Sequence, residues 1–308
     1  LGQKNKKKVI FIAIQGMPHH KSYLERNNVK VIHYNSDKKT RSLFKMCIVC
    51  LKYIQDILKY KPETIIANLQ PAELVVAIGS FFYKKSNNKL VRHNDEYGWG
   101  NKTIRKLVAS RFNSYGAISS KCANKIQTEI KKQKKIHILY YGISTDCNLK
   151  TTNPFKIEKS DDVINVGLLA RLEPQKNHLF LFNSIKNINK KCQMNGKKVI
   201  FHLAGSGSLS ETLLNAVGEL GIDGEVIFYG RIKEIDSFIS KCDVTLLVSL
   251  YEGLGLVGLE SLRCNKPFIA PKIEPFIELY QDDIRNGVYL YNDLDSNSLT
   301  ESILESIQ

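Results

Sequence analysis

Short apolar runs rich in β-branched residues alternate along this chain with longer stretches whose apolar positions recur at helical spacing. In the first half, strands are predicted at Lys8–Ile14, Val29–Tyr34, Thr64–Asn68, Lys89–Arg92, Gly116–Ser119 and Lys135–Tyr140, with helices over Thr40–Lys59, Ala72–Tyr83, Asn101–Arg111 and Lys121–Lys132. In the second half, strands at Val163–Leu168, Val199–Ala204, Glu225–Tyr229, Val244–Val248, Pro267–Ala270 and Gly287–Leu290 alternate with helices at His178–Ile188, Ser208–Leu220, Ile235–Ser240 and Leu256–Arg263. The strand–helix order occurs twice over, which predicts an α/β chain of two doubly wound, Rossmann-like domains. The polar segment Asp146–Asp162, with Pro154 inside it, is the expected linker and divides the chain into residues 1–150 and 151–308. One pair of strands departs from the pattern: the 14 residues Gln15–Asn28 between the first two show no crossover helix. A preceding strand and helix are expected to be missing ahead of Leu1-Gly2-Gln3.

Composition narrows this picture. With 308 residues, 43% hydrophobic and 24% charged, the chain is long enough for two ordinary domains and is neither disordered nor fibrous. The uncharged run Leu74–Tyr83 has ten residues, against about 20 for a membrane-spanning helix. The six apolar residues Val9–Ile14 are too few for a secretory leader, so a cytoplasmic location is expected. Seven scattered cysteines, an odd number, point to reduced thiols. Cys47-Ile48-Val49-Cys50 is read as buried packing, since no second cysteine pair or histidine lies at metal spacing.

Charge is unevenly distributed. Residues 1–150 carry 29 Lys and Arg against 9 Asp and Glu, a balance of +20, while residues 151–308 carry 16 against 21, a balance of −5. The basic half is expected to meet an anionic partner: nucleic acid, a membrane surface or a phosphorylated substrate. A Lys-rich surface that is merely solvated is the plainer alternative.

The candidate chemistry lies in the second half. Arg171-Leu172-Glu173-Pro174-Gln175-Lys176 follows a strand directly and sets two cations where a parallel sheet opens on its ligand crevice. A guanidinium fork and a point-like ammonium suit a diphosphate, although alone the pair reads more readily as a solvated loop. Gly205-Ser206-Gly207 ends the next strand in a turn that either admits a ligand to the backbone or simply enters a helix. Ser249–Glu260 carries the densest signal: a strand empties into Glu252-Gly253-Leu254-Gly255, and the helix that follows has its first free amides near Leu256 and Val257. Glu252 and Glu260 bracket those amides, and carboxylates accept hydrogen bonds from sugar hydroxyls. Taken singly, either glutamate reads as an ordinary helix-start or surface residue.

Taken together with Phe228-Tyr229-Gly230-Arg231 and Asn265-Lys266-Pro267-Phe268-Ile269-Ala270, these motifs resemble the donor domain of glycosyltransferase family 4, with its Glu-x7-Glu spacing at Glu252 and Glu260. Leu90-Val91-Arg92-His93, Ala117-Ile118-Ser119-Ser120 and Tyr140-Tyr141-Gly142-Ile143 resemble, more loosely, strand ends of its other domain. The resemblance implies a retaining, metal-independent hexosyltransferase of the GT-B fold, with two domains facing a central cleft. It implies that Arg171, Lys176 and the amides of Gly255, Leu256 and Val257 hold a donor diphosphate, and that Glu260 binds the ribose. Glu252 would contact the transferred sugar, and the Gly205–Gly207 turn would lie beside the donor. The backbone at Gly230 and Arg231 would hold the base, and His93 would sit near sugar and acceptor. The family's Gly-rich loop after a first strand and its closing C-terminal helix are expected to be missing from this stretch, and its usual Asn-Gly ahead of the linker reads Tyr141-Gly142.

The resemblance thus leads to transfer of a sugar from a nucleoside-diphosphate donor, with UDP the expected nucleotide, to a lipid-linked or growing surface glycan. The acceptor is expected to be polyprenyl-diphosphate-linked and the basic domain to rest on the inner face of the cell membrane. No metal or other cofactor is expected, and Asp161-Asp162 and Asp282-Asp283 read as solvated surface. Two other classes fit the sequence less well. A nucleotide-binding oxidoreductase lacks the Gly-x-Gly-x-x-Gly fingerprint after any early strand. A nucleic-acid-binding protein lacks aromatics interleaved with the lysines of Lys102–Arg111 and Lys121–Lys135.

Overall fold

The computed structural model describes residues 8–14, 21–34, 43–68, 70–93, 102–130, 134–149, 154–280 and 287–307. Asp282-Asp283, the start Leu1-Gly2-Gln3 and positions 150–153 of the expected linker lie outside the described residues. The chain divides into two compact units, Leu1–Leu139 and Tyr140–Gln308.

In the first unit, β1 (Ile10–Ala13) and β2 (Lys30–His33) pair in parallel. The crossover between them contains a helix, α1 (Lys21–Arg26), which corrects the expectation that none is present. It escaped notice because it has six residues and buries none of them, so it carries no apolar stripe. Asn28, in the left-handed region at φ 58°, ends the turn, and the Val29 amide donates back to the Leu24 carbonyl.

Helix α2 (Leu43–Tyr60) follows, and it corrects the reading of Cys47-Ile48-Val49-Cys50: Cys50 is buried but Cys47 is exposed. Then β3 (Thr64–Asn68), α3 (Gln70–Gly79), β4 (Asn87–Arg92), α4 (Lys102–Ala109), β5 (Ser114–Ala117), α5 (Ser120–Gln127) and β6 (Ile136–Ile138) build a four-stranded parallel sheet in the order β3-β4-β5-β6. Ser119 caps α5, its hydroxyl accepting from the Cys122 amide.

Arg92 closes β4 inside a buried charge network. Its guanidinium donates to both carboxylate oxygens of Glu73 on α3, at 3.0 and 2.9 Å, and to Glu129 just past α5 at 2.8 Å. Arg105 on α4 donates to the other Glu129 oxygen at 3.1 Å. Burial pushes the Glu73 carboxyl up, and the Arg92 guanidinium opposes that shift.

The second unit holds a six-stranded parallel sheet ordered β12-β11-β10-β7-β8-β9. Its strands are β7 (Val163–Leu169), β8 (Lys198–Ala204), β9 (Val226–Gly230), β10 (Val244–Leu246), β11 (Phe268–Pro271) and β12 (Val288–Tyr291). Between them lie α6 (His178–Gln193), α7 (Ser210–Leu220), α8 (Ile235–Lys241), α9 (Leu256–Arg263) and α10 (Glu274–Tyr280), and α11 (Ser296–Glu305) follows β12. The last two helices were not foreseen in the sequence. α10 buries Pro275, Phe276 and Tyr280, the two aromatic rings packing edge-on against Phe268 of β11, while α11 buries Leu299 and Ile303 in the main core behind a cap at Asp295. Ile164, Val166 and Leu168 of β7 and Val199, Phe201 and Leu203 of β8 form the centre of that core, closed by Leu181, Phe182 and Ile185 of α6. Both flanks of β7 are occupied, by β8 on one side and β10 on the other. The chain leaves β7 toward β8 and β9 and returns to β10, so the topological switch point lies between β7 and β10.

Among the described residues, no helix is long and apolar enough to cross a membrane.

Candidate donor-binding site

Ligands of open parallel sheets bind outside the carboxyl ends of the strands at the switch point. In the second unit the segments issuing there are the loop after β7 and the loop after β10, the two that carry Arg171–Lys176 and Ser249–Glu260.

They are stitched together. The Leu250 amide donates to the Gln175 carbonyl at 2.9 Å, and the Gln175 side-chain amide donates to the Tyr251 carbonyl at 2.7 Å. Pro174–Lys176 form a single 3-10 turn that ends at Asn177, in the left-handed region at φ 50°. This turn aims the Lys176 ammonium at Glu252, with which it pairs directly. Ser249, fully buried, donates its hydroxyl to the same Glu252 oxygen at 2.7 Å. Glu252 is thus a buried carboxylate held between a cation and a hydroxyl, with Lys176 only slightly exposed beside it. Arg171 is exposed and makes a long contact, 3.4 Å, to the Gln175 side-chain oxygen.

Gly255 occupies the N-cap of α9 with φ 72° and has no side chain to cap the first amides. A Cβ there would lie 2.3 Å from the Phe276 ring, so glycine is required by space as well as by φ. The amides of Leu256 and Val257 head the helix, where the backbone dipole favours an anion. One helical turn on, Glu260 is partly buried, and burial holds its carboxyl above the ordinary range against the opposing pull of Arg263.

The glycines of the β8 turn pack directly against the loop after β7. A Cβ on Gly205 would stand 1.8 Å from the Ala170 carbonyl oxygen, and one on Gly207 2.2 Å from that of Leu172. The turn is pressed against the loop after β7, with the Leu172 amide donating to the Ser206 carbonyl and the Leu209 amide to the Leu172 carbonyl. Glycine here sets the position of Arg171–Lys176 from behind. Glu173 adds to this, accepting from the Ser208 amide and hydroxyl at 3.1 and 2.6 Å. Gly230, at φ 62°, and Arg231 are both exposed at the end of β9, and the Gly230 carbonyl accepts from the Gly205 amide.

The structure therefore gathers Arg171, Lys176, Glu252, Gly255, Leu256, Val257 and Glu260 onto two adjoining loops and one helix start. His93 belongs to the other unit. It follows β4 directly, its Nε2 lies 3.3 Å from the Asn68 side-chain oxygen, and burial lowers its pKa, keeping the ring neutral at pH 7. Three residues escaped the sequence reading. Ser249 fixes the Glu252 carboxylate, Gln175 ties the two loops together, and His178, buried at the first position of α6, has its pKa pushed down to about 4 by burial. The apolar strand preceding Ser249 was the one signal that could have marked it as buried.

The model of the family described as "Glycosyl transferases group 1" matches residues 150–308, more than half of the chain. The chain belongs to this family. The O-antigen biosynthesis glycosyltransferase WclY of Escherichia coli is 32% identical over 55% of this chain and 48% of its own length. A Campylobacter jejuni α-1,4-N-acetyl-D-galactosaminyltransferase, named for an undecaprenol-diphosphate-linked acceptor, is 37% identical over 34% of this chain and 27% of its own. The chain spans about half the length of the curated relatives it matches. Among solved structures, Anabaena HepE in complex with UDP and glucose superimposes with a TM-score of 0.78 over 98% of this chain and 90% of that one, at 21% identity. The fold of this glycosyltransferase-family chain is GT-B, as the sequence resemblance implied.

Proposed function

We propose that the chain transfers a hexose or acetamido-hexose from a UDP-sugar to a lipid-linked or growing surface glycan, with retention at the anomeric carbon. The observation that carries this reading is the convergence, at the switch point of the second sheet, of two cations, a set of open helix amides and two carboxylates. Arg171 and Lys176 face the diphosphate together with the amides of Leu256 and Val257 and neutralise the charge that develops on it as the sugar departs. In this role they replace a metal ion, and transfer is expected to survive chelation. Glu260 accepts the ribose hydroxyls, the backbone at Gly230 and Arg231 receives the base, and Glu252 accepts from the sugar hydroxyls. His93 contributes from the first unit on the acceptor side. The acceptor hydroxyl attacks the face from which UDP leaves, and its proton passes to the departing phosphate oxygen, which preserves the anomeric configuration. Support comes from the UDP and glucose bound to HepE and from the O-antigen and undecaprenol-diphosphate names of the relatives.

The deciding experiment is a parallel titration with UDP-, GDP- and ADP-sugars, NAD and a single-stranded oligonucleotide, with and without EDTA. Saturable UDP-sugar binding that EDTA does not weaken is expected, and a preference for NAD or the oligonucleotide would overturn the reading.

A membrane-facing role for the basic unit belongs to the same proposal. Phe81 and Phe82 past α3, and Ile104 and Leu107 on α4, are exposed beside Lys84, Lys85 and Lys102, and the Arg111 guanidinium lies 3.7 Å above the Phe81 ring centre. Cations flanking exposed aromatics suit an anionic bilayer at about 1 kcal/mol per Lys or Arg. Co-sedimentation with phosphatidylglycerol vesicles is expected to weaken as salt rises and to disappear with neutral phosphatidylcholine. Binding indifferent to lipid charge and salt would remove the membrane from the reading.

A further inference from the structure

Cys147 lies in the irregular segment that opens the second unit, and Cys264 caps the C-terminal end of α9. Far apart in sequence, their sulfurs meet at 2.9 Å. That is less than an ångström from a covalent S–S bond of about 2.05 Å. Neither thiol has a part in the donor site described above. Both are partly exposed, so a small reagent can reach them.

Asp236, in the first turn of α8, completes a trio whose ligand atoms all lie within 4.8 Å of one another, and such a trio invites a metal reading. The geometry argues against it. One Asp236 oxygen pairs with the Arg263 guanidinium, and the other accepts from the Asn148 amide at 2.7 Å. The carboxylate is therefore committed, with a fixed cation beside it. Two sulfurs on one zinc, with Zn–S of about 2.3 Å and tetrahedral angles, stand about 3.8 Å apart, so these two would have to separate.

The carboxylate instead holds the two sulfurs together. Its bond to Asn148 anchors the residue after Cys147, and its pair with Arg263 anchors the residue before Cys264.

We propose that Cys147 and Cys264 form a reversible disulfide, positioned by Asp236, through exchange with a small-molecule disulfide of the glutathione type. Cys147 as thiolate attacks one sulfur of the oxidant, forms a mixed disulfide and expels one glutathione thiolate. Cys264 then attacks the Cys147 sulfur and expels the second. Two protein thiols are oxidised by two electrons, the oxidant is reduced to two thiols, and the two protons released by the cysteines pass to them. Burial, followed by the contact with Cys147, pushes the Cys264 thiol up to about 12. Once Cys147 is in the mixed disulfide, that contact no longer opposes ionisation of Cys264. The bond fastens the entry segment of the second unit to the helix that starts the donor site, and it closes a loop of 117 residues' separation, most of that unit.

The test equilibrates the chain in reduced and oxidised glutathione, quenches with an alkylating reagent and maps peptides by mass spectrometry without reduction. A linked Cys147–Cys264 peptide is expected in oxidising buffer, absent after dithiothreitol, lost in Cys147→Ser and in Cys264→Ser, and retained in Cys47→Ser. The thermal midpoint of the oxidised chain is expected to rise by roughly 5–15 °C, as closure of so long a loop implies. Two results would overturn the proposal: glutathione adducts or alkylated thiols with no linked peptide in the folded wild-type chain, or one equivalent of zinc bound from zinc chloride that either serine variant loses.

Discussion

Glu252→Gln is expected to lower sugar transfer by about 10²–10³-fold while leaving UDP affinity within a few-fold of wild type. The two readouts separate because of where the carboxylate sits. It is buried, accepts from Ser249 and pairs with Lys176, so it controls the position of the ammonium as well as any sugar hydroxyl it receives. Glutamine keeps the shape and most of the hydrogen bonding but removes the charge. On the proposed reading UDP meets Arg171, Lys176, the α9 amides and Glu260, and among the described residues only Lys176 of these bonds to Glu252, so the substitution reaches UDP through that one ammonium. The measurement is a steady-state transfer assay beside calorimetric UDP binding, on a preparation in which the wild-type protein turns over. Wild-type turnover by the variant would remove Glu252 from the reaction, and a loss confined to UDP affinity would make it a structural support for Lys176 instead.

Arg92→Met is expected to destabilise the first unit by about 3–5 kcal/mol, because it leaves Glu73 and Glu129 buried without their shared cation. Each of the three side chains is almost wholly enclosed, at 1–3% exposure, so water cannot replace the lost bonds. Arg105 bonds to Glu129 rather than Glu73, so Glu73 would have to take up a proton, a change burial already favours. Urea unfolding of wild type and variant measures the loss. The variant with Arg92→Met, Glu73→Gln and Glu129→Gln together is expected to recover part of it, since it buries no uncompensated charge. A loss below about 1 kcal/mol for Arg92→Met would show the network to be energetically neutral. The residue after Arg92 is His93, so the same network fixes the strand end that presents that histidine.

Much of the fold was readable from local pattern. The helix Leu256–Arg263 and the strand Thr64–Asn68 fall where the sequence placed them, because each is bounded by residues that stop the element and carries the periodicity of its type. Lys21–Arg26 was missed for the opposite reason: no face of it is buried. Glu274–Tyr280 and Ser296–Glu305 are short, and their apolar residues show a helical face only once β11 and the core are there to receive them.

The site was legible in its parts. Motif spacing together with the family resemblance singled out Arg171, Lys176, Gly255, Glu252 and Glu260, since a glycine-rich turn before a helix and carboxylates around it are legible over a few residues. What those residues do to one another was not. That Lys176 pairs with Glu252, 76 positions away, and that Gly205 and Gly207 back against Ala170 and Leu172, follows from the order of strands in the sheet. Cys147 and Cys264 read in sequence as two of seven scattered thiols, and only the path of the chain around Asp236 brings their sulfurs together. By itself, then, the sequence determined the kinds of element, the family and the residues that bear charge and hydrogen-bonding chemistry, because backbone propensity and side-chain type act over a few residues. The tertiary structure alone decided the partners, because a pairing between distant residues depends on which strands lie side by side and on how far burial strengthens each contact.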